Sequence, residues 1–66
     1  MRITVNGEEK ELEAAVSVAD LVAQLDLGGR RIAVEVNGEI VPRSLHANHK
    51  LNAGDSVEVV HAIGGG

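Results

Sequence analysis

Hydrophobic and polar residues alternate from Met1 to Asn6, where Ile3 and Val5 stand between Arg2, Thr4 and Asn6. A period of two is that of a strand with one buried face. Asn6-Gly7 follows at once. Both residues tolerate positive φ, so the dipeptide predicts a two-residue type I′ hairpin turn. Glu8 to Glu13 is more polar, with Leu12 its clearest inward position, and it reads as an edge strand whose charges discourage further pairing. The period then changes. Val18, Leu21, Val22 and Leu25 recur at i, i+3, i+4 and i+7, one face of an amphipathic helix. Ser17 offers an N-cap hydroxyl, Asp20 completes an acidic capping box, and Gly28-Gly29 is the expected stop. So short a helix is not stable alone and has to lie across a sheet.

Alternation resumes from Arg31 to Asn37, with Ile32, Val34 and Val36 on one side and Ala33 and Glu35 on the other. A second Asn-Gly pair, Asn37-Gly38, turns the chain into a brief strand, Glu39-Ile40-Val41, which Pro42 closes. Arg43 to Lys50 has no clear period and reads as irregular or as one helical turn. Ala53-Gly54-Asp55 is a turn, and Ser56 to Ile63 is the last strand. Val57, Val59 and His61 share one face of it, and Ser56, Glu58, Val60 and Ala62 the other. A hairpin, a crossing helix and further strands make an α+β roll, a mixed sheet of four to five strands with the first and last parallel in the middle. That order resembles the β-grasp arrangement of ubiquitin-like proteins. Residues 1–63 are the expected domain and 64–66 a flexible C-terminal glycine tail.

Composition narrows the chemistry. The 66 residues include no cysteine, tryptophan, tyrosine or phenylalanine, so disulfides, thiol nucleophiles and cysteine-ligated metals are excluded. A domain this small buries only about 60% of its extended surface, which leaves little material for a self-contained active site. The net charge of −4, the lack of aromatic side chains and the scattered basic residues argue against nucleic acid. No apolar run is long enough to span a bilayer, and no signal-peptide core precedes Glu8 and Glu9. The expectation is a soluble, cytoplasmic protein, monomeric when free.

Other candidate groups are weaker. His46 and His49 lie three apart and His61 is near the tail, but this spacing with no cysteine does not make a metal site. Ser44, His46 and Asp55 supply the residue types of a triad with nothing to orient them. Glu8, Glu9, Glu11 and Glu13 suit a solvated edge. The tail is different. Gly64, Gly65 and Gly66 reach about 10 Å when extended and contribute nothing to packing. They are narrow enough to thread a terminal carboxylate into a partner's slot. A carboxylate enters acyl chemistry only after a partner activates it, whereupon sulfur would give a thiocarboxylate and an amine an isopeptide bond. Val60, Ala62 and Ile63 beside the tail, with Ile40 or Val41, are the candidate partner-docking surface.

One set of segments is specific: Ile3-Thr4-Val5-Asn6-Gly7-Glu8, Val18-Ala19-Asp20-Leu21, the run Ile32 to Ser44, Leu51, Gly54-Asp55-Ser56-Val57-Glu58, and Ala62-Ile63-Gly64-Gly65-Gly66. Over its whole length the chain resembles the ThiS family of sulfur carriers of thiamine biosynthesis. The resemblance implies no bound cofactor. It implies that a ThiF-type adenylyltransferase uses ATP and magnesium to adenylate Gly66, that a cysteine desulfurase relay converts the adduct to a thiocarboxylate, and that ThiG, thiazole synthase, takes the sulfur. The family's Gly-Gly ending maps onto Gly65 and Gly66. Gly64 is an additional glycine, and the aromatic residue that some members carry near His46 is missing. On this reading the protein is a co-substrate and not an enzyme. The alternatives are a β-grasp carrier for molybdopterin or tRNA thiolation, a ubiquitin-like modifier, or a binding module with an inert tail.

Overall fold

The computed structural model describes residues 1–27 and 31–61. Within them the chain forms β1 (Arg2–Val5), β2 (Glu8–Glu11), α1 (Val18–Gln24), β3 (Ile32–Val36) and β4 (Glu39–Val41), then a 3-10 turn at Arg43–Leu45 and β5 (Ser56–His61). The strands make a five-stranded sheet in the order β2-β1-β5-β3-β4. β1 pairs antiparallel with β2 and parallel with β5, and β3 pairs antiparallel with β4 and β5. The first and last strands are therefore parallel neighbours, which requires the crossover that α1 supplies. This is the α+β β-grasp roll that the hydrophobic pattern predicts.

Both Asn-Gly turns are as expected. Asn6 and Gly7 have φ of 52° and 84°, and Asn37 and Gly38 have 53° and 86°, the positive values a type I′ turn demands. Alternation sorts the sheet into two faces. Ile3, Val5, Val34, Val36, Val41, Val57 and Val59 are buried with Val18, Leu21 and Val22 of the helix in one core. Val41 is thus a core residue and not part of the outer surface, because the register that sets Ile40 outward sends its neighbour inward. Leu12 is buried as anticipated, but β2 ends at Glu11. Val16 and Leu51, which no periodic run marks, also join the core.

The helix is seven residues long and its N-terminus is completely bonded. The Ser17 N–H donates to Asp20 Oδ2 at 3.0 Å and the Asp20 N–H to Ser17 Oγ at 3.1 Å. The Val18 and Ala19 N–H groups donate to the carbonyls of His49 and His46 at 2.9 and 3.0 Å. Every donor that a helix start normally leaves open has a partner. The C-terminus differs from expectation. The helix ends at Gln24, with Leu25 as its half-buried C-cap. The Asp26 N–H donates to the Ala23 carbonyl and the Leu27 N–H to the Val22 carbonyl, both at 3.0 Å. This is a Schellman closure with Asp26, at φ 59°, in the left-handed position. The expected stop, Gly28-Gly29, lies outside the described residues. So do Arg30 and the end of the last strand beyond His61.

Two predictions concern stability. Ala15 sits in an exposed turn at φ 65°, where a Cβ is unfavourable, whereas aspartate tolerates that region better. Ala15→Gly is expected to raise unfolding free energy by about 0.5–1 kcal/mol, and Asp26→Gly by less; urea titration compares the two. The second concerns acid. Hydrogen bonds from the backbone and then the side chain of Ser17 hold the Asp20 carboxyl below its ordinary value. Its contribution is present above the unfolded value near ~4 and is lost as pH falls through the lowered folded value. Asp20→Asn, which keeps an acceptor but cannot titrate, is expected to make stability less dependent on pH in that window, measured by thermal melts.

Candidate functional site

The site is built on β5. This strand lies between β1 and β3, and its sequence continues through Ala62 and Ile63 to the three glycines. On the β3 side the pairing runs from Val36–Val57 to Ile32–His61. On the other side β1 is shorter, and its ladder with β5 comprises Thr4–Ser56 and Val5–Val57.

Where β1 turns away, Asn6 takes its place. The Asn6 N–H donates to the Val57 carbonyl at 2.9 Å. Beyond it, the Val59 N–H donates to Asn6 Oδ1 at 2.8 Å, and Asn6 Nδ2 donates to the Val59 carbonyl at 3.3 Å. A side-chain amide thus does what a further strand residue would do. Asn37 holds the start of β5 similarly. Its N–H donates to the Ser56 carbonyl at 2.7 Å, its Oδ1 accepts the Ser56 N–H at 2.9 Å, and its Nδ2 donates to Asp55 Oδ1 at 3.0 Å. Turn chemistry alone explains asparagine at both positions, so the sequence gives no sign of this second use. The one hint is that both turns carry Val-Asn-Gly-Glu.

The outer face of the sheet, away from the helix, carries Val60 at 49% exposure and Ile40 at 68%. Ala33 lies opposite Val60, and Glu35 lies between Ile40 and Glu58. The structure brings Val60 and Ile40 to one face, as the alternation predicts. Ala62, Ile63, Gly64, Gly65 and Gly66 lie outside the described residues.

The weaker candidates take structural positions. His46 is buried, with Nε2 2.9 Å from the Val41 carbonyl, while its own carbonyl accepts the Ala19 N–H. His49 is half-buried beside the helix start, and His61 is exposed. The Asp55 carboxylate accepts from the Asn52 N–H at 2.8 Å and from Asn37 Nδ2. Its oxygens serve a turn, and His46 faces β4, so Ser44, His46 and Asp55 form no triad. At the far edge Arg2 lies 3.7 Å from Glu9 and 3.5 Å from Glu11. A hydrogen bond from the N-terminal ammonium, its charge and then Arg2 lower the Glu11 pKa. Among the described residues no three His, Cys, Asp or Glu side chains converge as metal ligands. Nor is any helix among them long and apolar enough to cross a membrane.

The Asn6 clamp makes a prediction. Asn6→Gly keeps a residue suited to positive φ but removes both side-chain bonds to Val59. It is expected to lower stability by about 1–2 kcal/mol and to accelerate hydrogen exchange at the Val59 amide; Asn6→Asp, which keeps the acceptor, is expected to protect that amide better than glycine does.

Comparison with known proteins adds to the geometry. The model of the ThiS family matches residues 3–66. Thiazole synthase of Paramagnetospirillum magneticum is 44% identical over 66 residues, all of this chain but 20% of that protein. Sulfur carrier protein ThiS of Escherichia coli is 33% identical over 66 residues, covering 100% of both chains. The crystal structure of the thiamine biosynthesis protein ThiS from Geobacter metallireducens superposes with a TM-score of 0.87 at 30% identity, again covering 100% of both chains. The chain spans about a fifth of the length of the thiazole synthases it matches. With the roll, the turns and the full-length matches in agreement, the chain belongs to the ThiS family.

Proposed function

We propose that this chain is a sulfur carrier of thiamine biosynthesis and that Gly66 carries the sulfur. A ThiF-type adenylyltransferase binds ATP and magnesium. The Gly66 carboxylate attacks the α-phosphorus, pyrophosphate leaves, and an acyl-adenylate forms. Sulfur delivered by a cysteine desulfurase relay displaces AMP at the acyl carbon. The sulfur arrives as a persulfide and forms an acyl disulfide with Gly66. A second thiol, of the relay or of an added thiol reductant, attacks the sulfur on the delivering protein; a disulfide forms there, and Gly66 is left as a thiocarboxylate, which ThiG draws on for the thiazole ring. The carrier supplies no acid, base or metal; it is a cytoplasmic co-substrate that needs no cofactor of its own.

The observation that carries this reading is a family match that runs through Gly66, the residue the chemistry requires. The thiazole synthase relatives support ThiG as the consumer, because the whole of this sequence aligns within their polypeptides. Gly64 and Gly65 are the narrow arm that enters partner active sites. Val60 and Ile40, together with Ala62 and Ile63, are the apolar surface that docks while the arm is engaged.

Intact-protein mass spectrometry tests the mechanism. Incubation with the cognate ThiF-type enzyme, ATP, magnesium, a desulfurase with cysteine and a thiol reductant is expected to exchange one oxygen of the chain for sulfur at Gly66. Deleting Gly66, or adding alanine after it, is expected to abolish the exchange with no change in melting temperature. Conversion of the extended chain without trimming would show that the terminal-carboxylate mechanism is wrong.

A further inference from the structure

The same tetrapeptide, Val-Asn-Gly-Glu, stands at both hairpin turns, as Val5 to Glu8 and Val36 to Glu39. The turns share a backbone as well. Their asparagines have φ of 52° and 53° and their glycines 84° and 86°, and nothing lies within 4 Å of where a Cβ would stand on Gly7 or Gly38. Asparagine before glycine is prone to lose its side-chain amide, because the glycine nitrogen can attack Cγ with no side chain in the way. Local sequence and local conformation therefore set one rate for both sites. What differs is what each amide holds. Asn6 bonds the N–H and the carbonyl of Val59, a buried residue, so swinging the amide away strands two polar groups inside the sheet. Asn37 bonds the Ser56 N–H and the Asp55 carboxylate in exposed contacts, where water can take over both partners.

We propose that Asn37 is a site of covalent modification by deamidation, that Asn6 is spared by its clamp on Val59, and that the modified chain loses its hold on the start of β5. The Gly38 nitrogen bonds to Asn37 Cγ and gives up its proton. The Cγ–Nδ2 bond breaks, and the nitrogen leaves with that proton as ammonia. The five-membered succinimide then takes up one water. Opening at Cγ leaves aspartate and opening at the main-chain carbonyl leaves isoaspartate, and nothing is oxidised or reduced. In the native chain Asn37 Nδ2 is the donor to Asp55 Oδ1 at 3.0 Å. With aspartate there, two carboxylates meet and a hydrogen bond becomes a repulsion. With isoaspartate, an extra methylene enters the main chain of the turn that sets the register of β4 on β3. The proposal concerns a reaction of this chain alone and does not depend on the sulfur-carrier reading.

The test is peptide mapping by mass spectrometry of the full chain after incubation in warm, mildly alkaline buffer, folded and in concentrated urea. In the folded chain Asn37 is expected to convert to aspartate and isoaspartate about fivefold or more faster than Asn6. In urea, where only the shared tetrapeptide acts, the two are expected to convert at about the same rate. Asn6 converting as fast as Asn37 in the folded chain, or Asn37 staying intact there while it converts in urea, overturns the assignment. Unequal rates in urea overturn the role of the clamp. Thermal melts test the consequence: N37D is expected to lower the melting temperature by about 4–8 °C, and N37D/D55N, which exchanges acceptor and donor across the same contact, to recover more than half of the loss. An N37D chain that melts like the wild type, or a double variant no more stable than N37D, overturns the part given to Asp55.

Discussion

The structure depends on keeping β5 paired along both sides although the strand beside it is too short. β1 spans four residues and reaches only Val57, whereas β3 pairs with β5 as far as His61. Left alone, the Val59 N–H and carbonyl would be polar groups on a residue that is 7% exposed, a costly arrangement. The Asn6 amide supplies both bonds. One residue therefore turns the first hairpin and finishes the parallel ladder. The exposed position that follows, Val60, stands on backbone fixed from two sides.

The remaining economy lies in the core. Of thirteen buried hydrophobic residues among those described, nine are valines. Valine is stiff at χ1 and loses little freedom on burial, and its branched shape suits the face of a sheet. It is also small, so a helix lying on such a face approaches closely. A seven-residue helix cannot persist through its own ladder. It persists here because Leu21 and Val18 are fully buried and because Ser17, His46 and His49 occupy its open donors. The segment after β4, without any period in its sequence, is the cap of the helix and explains why His46 is buried.

What the sequence disclosed and what it concealed divide along a physical line. The strands, both hairpin turns, the Ser17–Asp20 box and the inward side of β3 are local, being set by period and by residues with special φ or short polar side chains. The sheet order followed from these, because a hairpin, a crossing helix and a closing strand leave few arrangements. Interactions between distant segments were not legible. Nothing near Asn6 announces Val59, fifty-three positions away, and nothing near His46 announces Ala19. The helix end was misplaced because Gly28-Gly29 is the stronger glycine signal, whereas the chain turned sooner on Asp26, which tolerates the left-handed region. Val41 was ambiguous between two faces until the register of β4 on β3 resolved it. At the site, the apolar positions were legible as alternation, but the opposition of Glu35 and Glu58 exists only once the register of β5 on β3 is known.

The division of labour in the proposed carrier follows from the chemistry of glycine. A tail without side chains enters a narrow slot, yet offers a partner nothing beyond backbone and a carboxylate to recognise. The absence of cysteine fits the same scheme, since the sulfur would sit on the main-chain carbonyl carbon. Discrimination between an activating enzyme and a sulfur acceptor must then be made by the folded part. The helix side of the sheet is spent on the core, which leaves the outer side.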